Sequence, residues 1–117
     1  MKKYTLKIPQ GYYQPIIDGL ENVVNNGTAR ASKVEGIALC GKTGTAQNPH
    51  GEEHSVFVGF APKDNPRIAV ACIVENAGTG GLYAAPISSL MIEQYLNDSI
   101  ATKRKVIEKR MMDSKLI

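Results

Sequence analysis

The chain has 117 residues, of which 43% are hydrophobic and 21% charged, and its formal net charge is +3. This length suits one domain, and the composition is that of a folded protein and excludes wholesale disorder. The slight positive charge predicts no nucleic-acid partner, and without a long apolar run or a signal-like start we expect a soluble chain that carries neither anchor nor export signal.

The first third of the sequence predicts two elements. Residues 4–8 alternate apolar and polar side chains, which is typical of a short edge strand. Residues 12–26 carry apolar side chains at helical spacing and therefore predict an amphipathic helix. Because glycine is common just after a helix, Gly27, Thr28 and Ala29 are interpreted as the helix end followed by a turn.

Residues 40–46, Cys-Gly-Lys-Thr-Gly-Thr-Ala, carry the main chemical signal. With the apolar residues 37–39 before them, they are predicted to form a strand that enters the core. A glycine inside a strand gives up packing, so Gly44 indicates that a ligand or another backbone comes close there. Lys42 would need a partner for its charge if it were buried. The pattern favours a strand edge that receives an extended, anionic substrate.

The rest of the sequence predicts two more strands and two helices. Residues 55–61 are rich in β-branched and aromatic side chains, and residues 68–74 are all apolar, which is typical of a central strand covered on both faces. Three strands joined by two loops make an antiparallel meander. The glycine-rich residues 76–81 fit no nucleotide-binding fingerprint and are interpreted as a plain connection. A helix follows over residues 85–97, and residues 99–117 are interpreted as a charged, solvated helix lying on the domain. The predicted apolar face of the helix before this tail consists of Ile87, Leu90, Met91 and Tyr95.

Lys42, Thr43 and Gly44 spell Lys-Thr-Gly, one of three sequence boxes of the penicillin-recognising serine acyltransferases. With the strands and helix that follow, the chain resembles the C-terminal part of the transpeptidase domain of class B penicillin-binding proteins, the elongation-type enzymes in particular. The resemblance implies an α+β fold, in which an antiparallel β-meander of about three strands with helices packed on it is part of a penicillin-binding-protein/serine β-lactamase-like transpeptidase fold. Residues 1–98 would be an incomplete C-terminal part of that domain, and residues 99–117 a charged helical tail.

The resemblance also implies roles for the site residues. In this family an active-site serine attacks a D-alanyl-D-alanine stem peptide, or the β-lactam that mimics it, and forms an acyl-enzyme. Lys42 would supply positive potential toward the substrate carboxylate, and the hydroxyls of Thr43 and Thr45 would bind that carboxylate. The Thr45 backbone N–H would face the oxyanion, and Gly44 would let the substrate lie against the strand. Strand alternation nevertheless sends Lys42 to the face opposite Thr43 and Thr45. By the same resemblance, the helix exit at Gly27, Thr28 and Ala29 would lie near the active-site region.

Two of the three boxes are absent from the sequence, because no serine precedes a lysine by three positions and no Ser-x-Asn occurs. We therefore interpret the chain as a fragment of a peptidoglycan D,D-transpeptidase without its nucleophile, and expect neither acyl transfer by the fragment nor its acylation by penicillin. No cofactor is expected. For the parent protein, the resemblance implies an inner-membrane anchor, a periplasmic location and a SEDS-class glycosyltransferase partner. The apolar residues 68–74, if unpaired, predict that the fragment self-associates.

The sequence also permits two other functions, a binding module and a metal-binding protein. The chain is a non-catalytic ligand-binding or interaction module if it takes no part in acyl transfer. His50 to His54 also match the His-x-x-Glu-His pattern of zinc metallopeptidases, but that mechanism needs a helix, and Gly51 disfavours one. A looser surface metal site through His50, Glu53 or His54 stays open as an alternative, and solvated loop residues are the preferred interpretation. Cys40 and Cys72 are interpreted as free thiols in apolar strands.

Overall fold

The structure is a computed structural model that describes residues 1–116. The strands are β1 (Cys40–Ala46), β2 (His54–Ala61) and β3 (Ile68–Val74). The α-helices are α1 (Tyr13–Asn25), α2 (Ala84–Asn97) and α3 (Lys105–Asp113), and short 3-10 turns occupy Gln10–Tyr12, Arg30–Ser32 and Thr102–Arg104. Among these residues, every helix is too short or too polar to cross a bilayer.

The strands form one antiparallel sheet in the order β1-β2-β3. Its register places Thr43 of β1 opposite Phe57 of β2, which in turn lies opposite Cys72 of β3. Successive strands are joined by the turn-rich residues 47–53 and 62–67. The predicted three-stranded meander and the α+β class are confirmed.

One face of the sheet carries the core, because α1 and α2 pack against it. Side chains alternate along a strand, and the buried members of β2 are Ser55, Phe57, Gly59 and Ala61. Phe57 is fully buried, and its ring lies over Gly41 and Gly59, the two positions where a Cβ would collide with it. The buried core as a whole consists of Val24, Ala29, Leu39, Phe57, Ala61, Ala84, Ala85 and Ile92.

Three sequence predictions about strands are wrong. Residues 4–8 form no strand, because alternation alone gives no partner to pair with. Residues 37–39 precede the strand, which begins at Cys40, although Leu39 is buried. Within residues 1–116, β3 is an edge strand that is unpaired on one side, which agrees with the expectation for a fragment, but half-buried and exposed residues alternate along it, so it is not covered on both faces. An unbroken apolar run does not reveal how many faces of a strand are covered.

The face by which α2 packs also differs from the predicted apolar face. Met91 and Tyr95, which were assigned to that face, are each 56% exposed. The buried residues of α2 are Ala84, Ala85, Pro86, Ser88, Ser89, Ile92 and Glu93. Small side chains let the helix axis come close to the sheet, with Ile92 as the large apolar residue on the buried face, while Met91 and Tyr95 are left outside.

A buried ion pair attaches the tail to α2. Arg104 and Glu93 are only 4% and 1% exposed, and Arg104 Nη1 donates to Glu93 Oε1 at 3.2 Å. Arg104 Nη2 also donates to Ser89 Oγ at 2.6 Å. Burial lowers the pKa of Arg104, and the neighbouring Glu93 carboxylate opposes this shift. The α3 helix that follows is solvated on one side, with Val106 70% and Met112 81% exposed.

Candidate functional site

The Lys-Thr-Gly segment lies in the middle of β1, at one edge of the sheet. In the part of the chain that the structure describes, β1 pairs only with β2, so its outer row of backbone N–H and C=O groups is available to another extended chain. Lys42 and Thr45 are exposed, and Thr43 and Gly44 are half-buried. The four residues proposed from the sequence therefore share one accessible strand edge.

Their side chains leave β1 on two faces. Thr43 lies opposite Phe57 and so belongs to the helix-covered face, whereas Lys42 lies opposite Val58 on the other face. The lysine turns back, because its Nζ donates to the Thr43 carbonyl at 2.7 Å. None of the ion pairs formed within residues 1–116 involves Lys42. Its positive charge thus lies beside the Thr43 backbone carbonyl and is available to an anionic ligand.

Gly44 differs from Gly41 in what the fold requires. A Cβ at Gly41 would lie 2.2 Å from Phe57 Cζ, a distance that no real packing allows. A Cβ at Gly44 would lie 3.5 Å from Val56 Cβ, which is ordinary van der Waals contact. Packing within the chain therefore explains glycine at position 41 but not at position 44. A Cβ at position 44 would occupy space that is otherwise open to an approach from outside the chain.

Thr28 lies beside the candidate site, although the residue pattern alone did not single it out. Its hydroxyl oxygen lies 2.7 Å from the hydroxyl oxygen of Thr43. Gly27 allows the tight exit from α1, since a Cβ there would lie 2.9 Å from the Val23 carbonyl oxygen. The buried Ala29 donates its N–H to the same carbonyl at 3.1 Å. The helix end thus holds Thr28 between two fixed neighbours and beside β1.

The glycine-rich loop before α2 packs directly on this site. A Cβ at Gly80 would lie 2.6 Å from the Gly44 carbonyl oxygen, and one at Gly81 would lie 2.7 Å from the Thr28 carbonyl oxygen. Ser55 fixes the loop, because its Oγ donates to the Thr79 carbonyl at 2.9 Å and accepts the Ala84 N–H at 3.0 Å. Gly80 and Gly81 therefore let the loop backbone pack directly against the backbones of Gly44 and Thr28. This close packing explains both glycines without an anion-binding role.

The two histidines do not form the zinc arrangement considered from the sequence. His50 lies in the loop after β1, and His54 is the first residue of β2, so no helix presents them on one face. His54 Nδ1 accepts the Asn76 backbone N–H at 3.1 Å. Within residues 1–116, no group of three or more His, Cys, Asp or Glu side chains is placed to hold a metal ion. The geometry gives the zinc alternative no support.

A second charged cluster lies near the start of β1. Lys63 Nζ is 2.7 Å from Asp18 Oδ1 and 3.0 Å from Glu21 Oε1, and both bonds raise the pKa of Lys63. The bond from Lys63, assisted by one from Gln14, lowers the pKa of Asp18. Burial, and then the charge of Glu21, raises the pKa of the Cys40 thiol. This cluster fastens α1 to the loop after β2.

Comparison with known proteins gives these features a family context. The family described as penicillin binding protein transpeptidase domain matches residues 2–93. The chain belongs to this family. Among curated relatives, the peptidoglycan D,D-transpeptidase MrdA of Haemophilus influenzae is 36% identical over an alignment of 105 residues, and the match covers 74% of this chain and 16% of the relative. The chain therefore spans about one sixth of the length of such penicillin-binding proteins.

Two solved structures of penicillin-binding proteins share the fold. Pseudomonas aeruginosa PBP2, in complex with WCK 5153, is 36% identical with a TM-score of 0.68, over 88% of this chain and 23% of that chain. Penicillin-binding protein A from M. tuberculosis, in its imipenem acyl-enzyme complex, is 26% identical with a TM-score of 0.70, over 81% of this chain and 21% of that chain. The resemblance to the class B transpeptidase domain and its fold is confirmed.

Proposed function

We propose that the chain is the substrate-binding part of a peptidoglycan D,D-transpeptidase, which cross-links cell-wall stem peptides by serine acyl transfer. Residues 1–98 form the C-terminal part of the transpeptidase domain in this proposal, and residues 99–117 form its tail. The observation that carries the proposal is the edge strand β1, in which Gly44 is a glycine that the fold itself does not need. Membership in the family supports the reaction class.

In the proposed complex, the end of the stem peptide pairs with the outer edge of β1 as an added strand. Lys42 attracts the substrate carboxylate, and the hydroxyls of Thr43 and Thr45 donate hydrogen bonds to it. Gly44 lets the two backbones approach without a side chain between them. The free charge of Lys42 and its contact with the Thr43 carbonyl support this placement.

The chemical step needs a serine that this sequence does not place in a Ser-x-x-Lys box. That serine attacks the carbonyl between the two D-alanines, so that a serine ester forms and the terminal D-alanine leaves as the amine. A stem-peptide amine then takes the acyl group and the serine regains its proton. The Thr45 backbone N–H donates to the oxyanion, and one such donor is worth about 3 kcal/mol of transition-state stabilisation. The 117-residue chain alone is therefore expected to bind without reacting.

The same proposal includes features of the parent protein that rest on the family alone. These are an inner-membrane anchor with the transpeptidase on the periplasmic face, and a SEDS-class glycosyltransferase partner. The proposal also includes binding of β-lactams, which mimic the substrate. The imipenem acyl-enzyme complex of the mycobacterial relative supports this binding.

Self-association of the chain also belongs to the proposal. Within residues 1–116, β3 pairs on one side only, and the sheet face away from the helices exposes Ile73 by 68% and Val58 by 50%. Unpaired apolar strands favour pairing with a second copy. We expect a dimer or larger assembly by light scattering at micromolar concentration, and we expect Ala71→Lys, which puts a charge on the same face, to weaken it. A monomer under these conditions would contradict the proposal.

The proposed binding role can be tested on the chain as it stands. Titration of the ¹⁵N-labelled protein with N-acetyl-D-alanyl-D-alanine should shift the amide signals of β1, with an affinity in the millimolar range. Lys42→Ala should weaken binding, whereas Lys109→Ala on the remote helix α3 should not. Shifts that are absent from β1, or equal in both variants, would contradict the assignment of β1 as the binding strand.

A further inference from the structure

The loop that leaves α1 brings a second threonine hydroxyl to the substrate strand. Thr28 Oγ1 and Thr43 Oγ1 are 2.7 Å apart, a normal distance for a hydrogen bond between hydroxyl groups. The two residues are 15 positions apart in the sequence, so tertiary structure alone creates the contact. We propose that Thr28 is a positioning residue that orients the Thr43 hydroxyl toward the substrate carboxylate. This inference rests on the proposed function of β1.

The direction of the hydrogen bonds follows from the chemistry of a hydroxyl group. A hydroxyl has one proton to donate and two lone pairs that accept. If Thr43 donates its proton to a carboxylate, the bond between the two threonines has to run from the Thr28 hydroxyl to the Thr43 oxygen. Each bond in such a chain polarises the next, which strengthens the bond to the anion. Without Thr28, the Thr43 hydroxyl is free to turn away.

Thr28 is suited to this task because its backbone is fixed on three sides. Gly27 before it makes the tight turn out of α1, and the N–H of the buried Ala29 after it is bonded to the Val23 carbonyl. The Thr28 carbonyl packs on Gly81, where any side chain would collide with it. Gly80, the neighbour of that glycine, packs on the backbone of the substrate strand. One rigid loop therefore sets the distance between Thr28 and the strand.

The first test measures the orientation of Thr43 and needs no ligand. Three-bond couplings should show a single Thr43 side-chain rotamer in the wild type and in Thr28→Ser, which keeps the hydroxyl. Thr28→Val keeps the shape but loses the hydroxyl, and rotamer averaging at Thr43 is expected. Thr5→Val, in the exposed segment before α1, is the control and should leave the couplings unchanged. A single rotamer in Thr28→Val would overturn the proposal. If that variant fails to fold, Thr28→Ala replaces it.

The second test measures what the orientation does for binding. Affinity for N-acetyl-D-alanyl-D-alanine should fall roughly three- to tenfold in Thr28→Val, the effect of one hydrogen bond, and should be kept in Thr28→Ser. With the C-terminal carboxamide in place of the carboxylate, the two variants should bind alike, because the anion that the hydroxyl chain serves is absent. Equal carboxylate affinities in the two variants would contradict the positioning role.

The two tests separate this inference from the function on which it rests. If the wild type binds neither peptide, the proposed role of β1 fails, and the rotamer result alone decides whether Thr28 orients Thr43. If the wild type binds and Thr28→Val binds equally well, β1 keeps its role and the inference about Thr28 fails.

Discussion

Gly41→Ala and Gly44→Ala place the same methyl group three positions apart on β1 and should have opposite consequences. At position 41 the new Cβ would lie 2.2 Å from Phe57 Cζ and 2.8 Å from the Val58 carbonyl oxygen. Carbon atoms in contact are normally about 3.5–4.0 Å apart, so the ring or the strand has to move by about 1.3 Å or more. At position 44 the methyl group fits without movement, since its nearest atom is 3.5 Å away.

The expected magnitudes follow from this difference. Overpacking a filled core lowers the free energy of unfolding by about 1–3 kcal/mol. Replacing glycine by alanine also raises it by about 0.4–1 kcal/mol, because alanine reduces the entropy of the unfolded chain. Gly41→Ala should therefore lower the free energy of unfolding by up to about 2.5 kcal/mol. Gly44→Ala should leave it unchanged or raise it by up to about 1 kcal/mol, while peptide binding to β1 is lost.

Urea unfolding followed by circular dichroism measures these changes. Phe57→Leu removes part of the ring, so its combination with Gly41→Ala should cost less than the sum of the two single changes. Additive costs would show that the ring is not the obstacle. A Gly41→Ala protein as stable as Gly44→Ala would refute the distinction between a glycine that packing requires and one that it does not.

Three further predictions concern a buried ion pair, the two thiols and the exposed carboxylate of Asp18. Arg104→Met leaves the Glu93 carboxylate buried without its partner and should lower the free energy of unfolding in urea by about 3–5 kcal/mol. The double variant, Arg104→Met with Glu93→Leu, should recover most of that loss because no buried charge is left unpaired. Cys40 is fully buried with a raised pKa and Cys72 is half-buried, so a thiol reagent should modify Cys72 first, and equal rates in the folded protein would contradict this. The folded pKa of Asp18 is lowered, so its stabilising effect is complete above the unfolded value of about 3.9 and is lost as pH falls through the folded value. Asp18→Asn should therefore lose less stability on acidification below about pH 4 than the wild type, and parallel pH profiles would count against this.

The parts of the fold that were predicted correctly depend on local pattern. β2 and β3 follow runs of β-branched and aromatic residues with turn signals between them, and α1 follows helical spacing. Two features depended on tertiary contacts instead. Residues 4–8 have a strand-like alternation but no strand to pair with, and the packing face of α2 is set by small residues that fit against the sheet.

The candidate site also has residues that local sequence identifies and residues that only tertiary contacts reveal. Lys42 to Thr45 were identifiable because their order in the sequence is itself the signal. The resemblance placed Thr28 only near the active-site region, and its proposed role was not identifiable because that role depends on a hydroxyl contact across 15 positions. Two adjacent glycines, Gly80 and Gly81, are compatible with close backbone packing, but the sequence does not identify the backbone that packs on them. The structure shows that Gly80 packs on the Gly44 backbone and Gly81 on the Thr28 carbonyl.

The central claim is that β1 is the substrate strand of a serine transpeptidase whose nucleophile lies outside this sequence. Labelling with a fluorescent penicillin tests it most directly, with the 117-residue chain run beside the protein expressed from the complete reading frame that encodes it. We predict covalent label on the longer protein only, with much less label when Lys42 is changed to alanine there. Label on the 117-residue chain, or none on either protein, would contradict the claim.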